Sequence, residues 1–273
     1  MKPTAAWPQV LTALLAAAGL ALPRAAQADA VLVAVASNFA GPLAKLGEGF
    51  TAATGHTLTL IAGATGKFYS QIEAGAPFEV LLAADAETPQ KLIQQGLAVA
   101  GSNFTYAVGV LVLWSATPGY VDGQGAVLAA GRFNKLAIAN PKLAPYGRAG
   151  MEVLKTLGLG DALAPKLVTA ESIAQAFQFV ASGNAELGFV ALSQVMGAGP
   201  PQAHERPLGG QAAGFGKPGT GSFWQVPANL HSEIRQGAVL LKPGEKKPAA
   251  AALLAYLKTA PAKALIQAYG YGL

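Results

Sequence analysis

An alternation constrains this chain more than any other feature. Short apolar runs are each followed by a helix-spaced segment that ends in glycine. Val31–Ala36 is continuously apolar, and Thr57–Ile61 and Phe78–Ala83 follow at regular intervals. A run without polar alternation is what a strand covered on both faces requires. Between these runs, Gly41–Thr54 carries Leu43, Leu46 and Phe50 at helical spacing. Lys67–Ala74 and Thr88–Gln95 also read as helices, and Gly55, Gly75 and Gly96 stand where helices stop. Strand–helix–strand order predicts right-handed crossovers and parallel pairing.

The pattern then restarts. Phe104–Trp114 is the longest apolar strand candidate. After it come a strand over Lys135–Ala139, a helix over Arg148–Leu157, a short strand over Lys166–Thr169, a helix over Ser172–Ala181 and a strand over Leu187–Ala191. Gly197–Gly221, with eight Gly and four Pro in 25 residues, reads as surface loop. Gln236–Leu241 returns as a strand, and Pro248–Lys258 and Pro261–Tyr269 are helices with proline in the first turn. Two successive α/β series predict two lobes. The expected division is 29–107 with 232–273 for the first lobe and 108–231 for the second, with hinges near 105–110 and 226–234.

The N-terminus has the form of a secretory leader. Lys2 precedes a 13-residue apolar run, Val10–Leu22, and Ala26-Gln27-Ala28 offers small residues for cleavage. The run is shorter than the roughly 20 residues a spanning helix needs. Residues 1–28 are therefore expected to be removed and the rest exported to the periplasm. Losing Lys2 and Arg24 lowers the formal charge from +5 to +3. That balance suits an anionic ligand but is too diffuse for nucleic acid. The absence of cysteine excludes disulfides, zinc–thiolate sites, iron–sulfur clusters and a lipoprotein anchor. No GxSxG, GxxxxGK[ST] or GxGxxG motif follows a predicted strand, so a secreted hydrolase is only a remote alternative. His56, His204 and His231 lack metal-ligand spacing and read as structural.

In parallel α/β sheets, ligands bind beyond the carboxyl ends of the strands, where helices begin. A helix start presents unpaired N–H groups and a partial positive charge, and holds an anion without lysine or arginine. Four junctions here carry small or hydroxyl residues: Ala36-Ser37-Asn38-Phe39, Gly63-Ala64-Thr65-Gly66-Lys67, Asn140-Pro141 through Pro145-Tyr146-Gly147, and Thr169-Ala170-Glu171-Ser172-Ile173. Ser37 and Asn38 read as N-cap residues. Each junction taken alone is an ordinary cap; four in corresponding places on two lobes suggest one site. Lys67 reads as a solvated side chain at its rim, Asp85 as a cap or a lobe-closing group, and Trp224 as packing at the return hinge.

At these residues the chain resembles the periplasmic molybdate-binding proteins of ABC transporters. The likeness is carried by Ala34–Phe39, Gly63–Tyr69, Gln71–Pro77, Ala83–Asp85, Ala139–Pro141, Pro145–Gly147 and Leu187–Gln194. It implies an α/β, two-lobed type II periplasmic-binding-protein fold, each lobe a mostly parallel sheet flanked by helices, with the ligand in the cleft. It also implies oxyanion contacts on Ser37 and Thr65, through hydroxyl and backbone N–H, and on Tyr146 and Ile173, through backbone N–H. Asn38 sits where some members add an amide contact. Ala191 stands where some have a ligand-binding tyrosine, and Asn38 is the candidate replacement. The ligand implied is molybdate or tungstate, held without a cofactor and without direct metal ligation. The partner implied is an inner-membrane permease, and the protein is expected to be a monomer. Sulfate or phosphate is the alternative ligand.

Overall fold

The computed structural model describes residues 28–196 and 221–273. The expected leader and the Gly/Pro-rich loop, including His204, lie outside the described residues apart from Ala28 and Gly221.

The first series is β1 (Ala30–Ala36), α1 (Ala40–Thr54), β2 (Thr57–Gly63), α2 (Thr65–Glu73), β3 (Val80–Leu82), α3 (Glu87–Gln94) and β4 (Phe104–Gly109). The second is β5 (Leu111–Ser115), α4 (Ala126–Ala130), β6 (Leu136–Ala139), α5 (Pro145–Thr156), α6 (Gly160–Leu163), β7 (Leu167–Ala170), α7 (Ile173–Ala181), β8 (Leu187–Ala191), α8 (Leu192–Met196) and β9 (Ser222–Gln225). The chain then returns through β10 (Ile234–Leu240), α9 (Pro248–Tyr256) and α10 (Ala260–Ala268).

These strands form two five-stranded sheets, β2-β1-β3-β10-β4 and β7-β6-β8-β5-β9. In the first sheet β1 pairs in parallel with β2 and β3, and β10 runs antiparallel to β3 and β4. The second repeats this plan, with β5 antiparallel to β8 and β9. The expectation of mostly parallel sheets is refined here: both are mixed, each with a single strand running against the other four. The reason is topological. β4 crosses to become β5 and β9 crosses to become β10, so each reversed strand enters its lobe from the side where the others end.

The long run Phe104–Trp114 is accordingly not one strand. It divides at Val110, and its halves belong to different sheets. Periodicity could not reveal the division, because the apolar run continues through both halves without a break. The short β9, α4, α6 and α8 were not legible in the sequence either.

Apolar cores cover both faces of the first sheet. One is built on Val31, Val33, Phe39, Leu43, Leu253 and Ile266, the other on Phe68, Ile72, Leu81 and Leu92. The C-terminal helices α9 and α10 pack against α1, as their position in the pattern suggested. The second lobe's core contains Leu111, Leu113, Val153, Phe177 and Phe189, and Trp114 stacks on Phe177 at 4.6 Å between ring centroids. Trp224 belongs to this core through β9, where it pairs with Leu113. Ala36 and Ala84 of the first lobe join the same cluster, so apolar contact continues across the lobe junction.

Candidate oxyanion site at the lobe junction

The strand ends of both sheets meet at this junction, and the helix starts face one another there. The Ala174 N–H, second in α7, donates to Ser37 Oγ of the opposite lobe at 3.3 Å. The Gly66 N–H of α2 donates to Leu143 O at 2.9 Å. Gly66 suits this approach: a Cβ there would lie 3.0 Å from Leu143 Cα, tight enough that the neighbouring chain would have to shift. Ser193 Oγ, in α8, donates to Asn38 O at 3.1 Å.

Ser37, Asn38, Thr65, Tyr146 and Ile173 are all buried, none more than 6% exposed. Ser37 and Asn38 do not cap α1 as expected; Phe39 holds that position. Phe39 is buried, with its ring 4.7 Å from Tyr106 and 5.4 Å from Tyr271 between centroids. Its N–H closes a turn onto Ala36 O at 2.8 Å, which leaves Ser37 and Asn38 in the turn ahead of the helix. The Ser37 N–H is taken by Gly63 O at 2.9 Å, extending the β1–β2 ladder. Ser37 therefore offers its hydroxyl alone, not the hydroxyl and N–H pair that the resemblance implied.

Thr65 opens α2 and Ile173 opens α7, while Tyr146 is second in α5 behind Pro145. Amides in a first helical turn have no acceptor within their own helix. In α7, Ser172 Oγ accepts from Gln175 and Ser37 Oγ from Ala174, so Ile173 N–H is left over. Thr65 Oγ1 accepts from the Ala84 N–H at 2.9 Å, which leaves its hydroxyl proton to donate elsewhere. The Asn38 amide is engaged differently. Its Nδ2 donates to Gln236 Oε1 at 2.9 Å and to Tyr271 Oη at 3.0 Å.

Several buried polar residues that sequence reasoning passed over brace this arrangement. Gln236, fully buried on β10 at a bulge, accepts from Tyr106 Oη at 3.0 Å and donates to Tyr146 Oη at 3.3 Å. Gln194 accepts from the Ala191 N–H at 3.0 Å and donates to Ile173 O at 3.3 Å. Tyr271 Oη lies 2.9 Å from both Asn38 O and Ser193 Oγ. Burial pushes the Tyr106, Tyr146 and Tyr271 phenols well above their ordinary range, so they remain neutral donors and acceptors. Their sequence positions gave no sign of this, although Ser193 and Gln194 lie in one of the stretches that carry the resemblance.

Among the described residues, the ionised groups beside this arrangement stand at its rim. Lys67 reaches Glu171 across the junction at 2.6 Å, so it is paired rather than freely solvated. Arg148 faces Asp85 at 3.8 Å and Glu87 at 3.6 Å, while Asp85 Oδ1 also accepts from the Thr88 N–H at 2.8 Å. Asp85 thus both caps α3 and bridges the lobes. Two clefts lie beside these pairs. One of about 350 Å³ is lined by Ile61, Lys67, Gln71, Glu171 and Gln175; the other, about 160 Å³, by Tyr69, Glu87, Lys91, Lys142 and Arg148. The five candidate residues line neither cleft, being sealed behind them. His56 and His231 are apart from the site: His56 Nδ1 accepts from the Asp29 N–H, and His231 Nδ1 contacts Ser232 O.

Residues 31–272 match the family model described as bacterial extracellular solute-binding protein. The chain belongs to that family. It is 56% identical over 249 residues to the molybdate-binding protein ModA of Azotobacter vinelandii, covering 91% of this chain and 92% of the relative. It is 50% identical over 269 residues to the molybdate-binding protein ModA of Rhodobacter capsulatus, covering 97% and 98%. A solved Azotobacter vinelandii periplasmic molybdate-binding protein superposes with a TM-score of 0.79 at 44% identity, covering 89% of this chain and 99% of that one. The resemblance read from the sequence is borne out by these relatives, and the two-lobed fold by the superposition.

Proposed function

We propose that this protein captures molybdate, and tungstate with it, at the lobe junction and delivers it to the permease of an ABC transporter. The observation that carries this reading is the donor set. We take the donors to be the hydroxyls of Ser37 and Thr65 and the helix-start amides of Tyr146 and Ile173, all buried, on segments that the Ala174–Ser37 and Gly66–Leu143 hydrogen bonds tie together across the junction. Fixed neutral donors suit a fully deprotonated dianion, and they disfavour a protonated one, which would need an acceptor for its own proton. The two molybdate-binding relatives, at 56% and 50% identity, support molybdate over sulfate. Val110 and the segment between Gln225 and Ile234, where the chain passes from one sheet to the other, are the proposed hinges. The mature protein acts as a periplasmic monomer, with residues 1–28 removed on export, and does so as a carrier rather than an enzyme.

A thermal-shift series with molybdate, tungstate, sulfate and phosphate tests the proposal. A ligand that binds only the folded state at 100 times its Kd adds about 2.7 kcal/mol of stability. Molybdate and tungstate should raise the melting temperature strongly, and sulfate and phosphate little. An equal response to sulfate defeats the molybdate assignment.

A further inference from the structure

Gln194 is buried and stands third in the short helix α8. Its Oε1 accepts from the Ala191 N–H at 3.0 Å, the reach-back by which a glutamine at this position caps a helix start. A cap alone leaves the amide nitrogen free to turn to water. Here Nε2 turns inward and donates to Ile173 O at 3.3 Å. The two ends of this amide are not interchangeable, because the Ala191 N–H can only donate and Ile173 O can only accept.

Ile173 O and the Ala174 N–H belong to one planar peptide unit, and in a trans peptide they point in opposite directions. Gln194 holds one end of that unit, and the other end donates to Ser37 Oγ of the first lobe at 3.3 Å. The N–H occupies a lone pair of the Ser37 hydroxyl, so the hydroxyl proton is turned away from α7. Helix α8 is itself anchored twice. The Leu192 N–H donates to Val110 O at 2.9 Å, where the chain crosses between lobes, and Ser193 Oγ donates to Asn38 O at 3.1 Å, in the turn that carries Ser37. Three consecutive residues of one turn thus reach the crossover, the Ser37–Asn38 turn and the start of α7.

We propose that Gln194 is a positioning residue: by fixing the Ile173–Ala174 peptide it sets the direction in which Ser37 offers its hydroxyl proton to the anion. This rests on the oxyanion reading above. Gln194 touches no ligand. It acts on a donor of the opposite lobe through a single peptide unit, from a helix bonded to the crossover. A donor held in place beforehand needs less ordering when the anion arrives, which favours binding. Thr65 gives the contrast. Its hydroxyl is set within the first lobe by the Ala84 N–H at 2.9 Å and is independent of α8.

The test is a pair of double-mutant cycles on molybdate affinity, measured by calorimetry. Gln194→Met, close in volume and unable to make either bond, should weaken binding about tenfold, the range of one lost neutral hydrogen bond. In a Ser37→Ala background the same substitution should weaken binding less than about threefold, since the hydroxyl it orders is gone. In a Thr65→Ala background the loss should again be about tenfold. A general loosening of the fold lowers affinity alike in all three, so equal losses overturn the proposal, as does an unchanged affinity for Gln194→Met alone. A measurement on the unaltered protein guards against a variant that does not fold. By NMR the Gln194 side-chain NH2 should exchange slowly with water, and sodium molybdate should slow it together with the Ala174 amide. Exchange as fast as that of a free side chain, or exchange unmoved by molybdate while Ala174 slows, overturns the proposal. Failure of the unaltered protein to bind molybdate, or of Ser37→Ala to weaken binding, instead defeats the oxyanion reading itself.

Discussion

The two lobes share one strand plan but bring different chemistry to their junction. In the proposed site the first contributes side chains, the hydroxyls of Ser37 and Thr65 and the amide of Asn38. In the same proposal the second contributes main chain, the helix-start amides of Tyr146 and Ile173. The difference follows from how each segment leaves its strand. In the first lobe the Ser37 N–H continues the ladder to Gly63, so donation falls to the side chain. In the second, α7 begins within three residues of the end of β7, and its first amide is left without an intrahelical acceptor. One lobe can therefore be tuned by single substitutions, while the other is fixed by backbone geometry and is indifferent to most of them.

Ser37→Ala should have the largest effect, because it removes a proposed ligand donor and also orphans the Ala174 N–H across the junction. A loss of about 3 kcal/mol in molybdate binding, on the order of a hundredfold, is expected by calorimetry. A loss below threefold would show that the side-chain half of the comparison is wrong. Ile173→Pro probes the main-chain half. Proline is tolerated at the first helical position, and Ser172 already has the extended backbone (φ −141°, ψ 167°) that a residue before proline prefers. It should preserve the fold in circular dichroism yet weaken binding by about 2 kcal/mol through the lost N–H. Ile173→Val, by contrast, should bind as the unaltered protein does.

The neutral interior predicts a pH profile. The buried phenols of Tyr106, Tyr146 and Tyr271 titrate above their ordinary value of 10.0. Below that value both folded and unfolded chains keep these protons. As pH rises past it the unfolded chain releases them first, so stability present at pH 8 should fall. Denaturant midpoints at pH 8 and pH 10.5 check this, with affinity expected to be flat from pH 6 to 9. The rim should matter least. Lys67→Gln breaks a half-exposed pair with Glu171 and should change affinity by less than about 1 kcal/mol, an effect that added salt diminishes.

Much of this was legible in the chain itself. Glycine-terminated helices between apolar runs determined the α/β class and the repetition that makes two lobes. Small and hydroxyl residues at strand–helix junctions marked four helix starts, since the need for donors at such places is local and leaves a local trace; the family resemblance, not the spacing, singled out Ser37, Thr65, Tyr146 and Ile173 within them. Other features depended on residues far apart in sequence. The split of Phe104–Trp114 between two sheets, and the reversed β5 and β10, follow from which lobe each half enters, and an apolar run carries no record of that. Gln236 lies 198 positions from Asn38 and 90 from Tyr146, and only folding brings their amide and hydroxyl groups within hydrogen-bond reach. Whether a buried polar group caps, braces or binds depends on what lies across from it, and that is decided by tertiary structure.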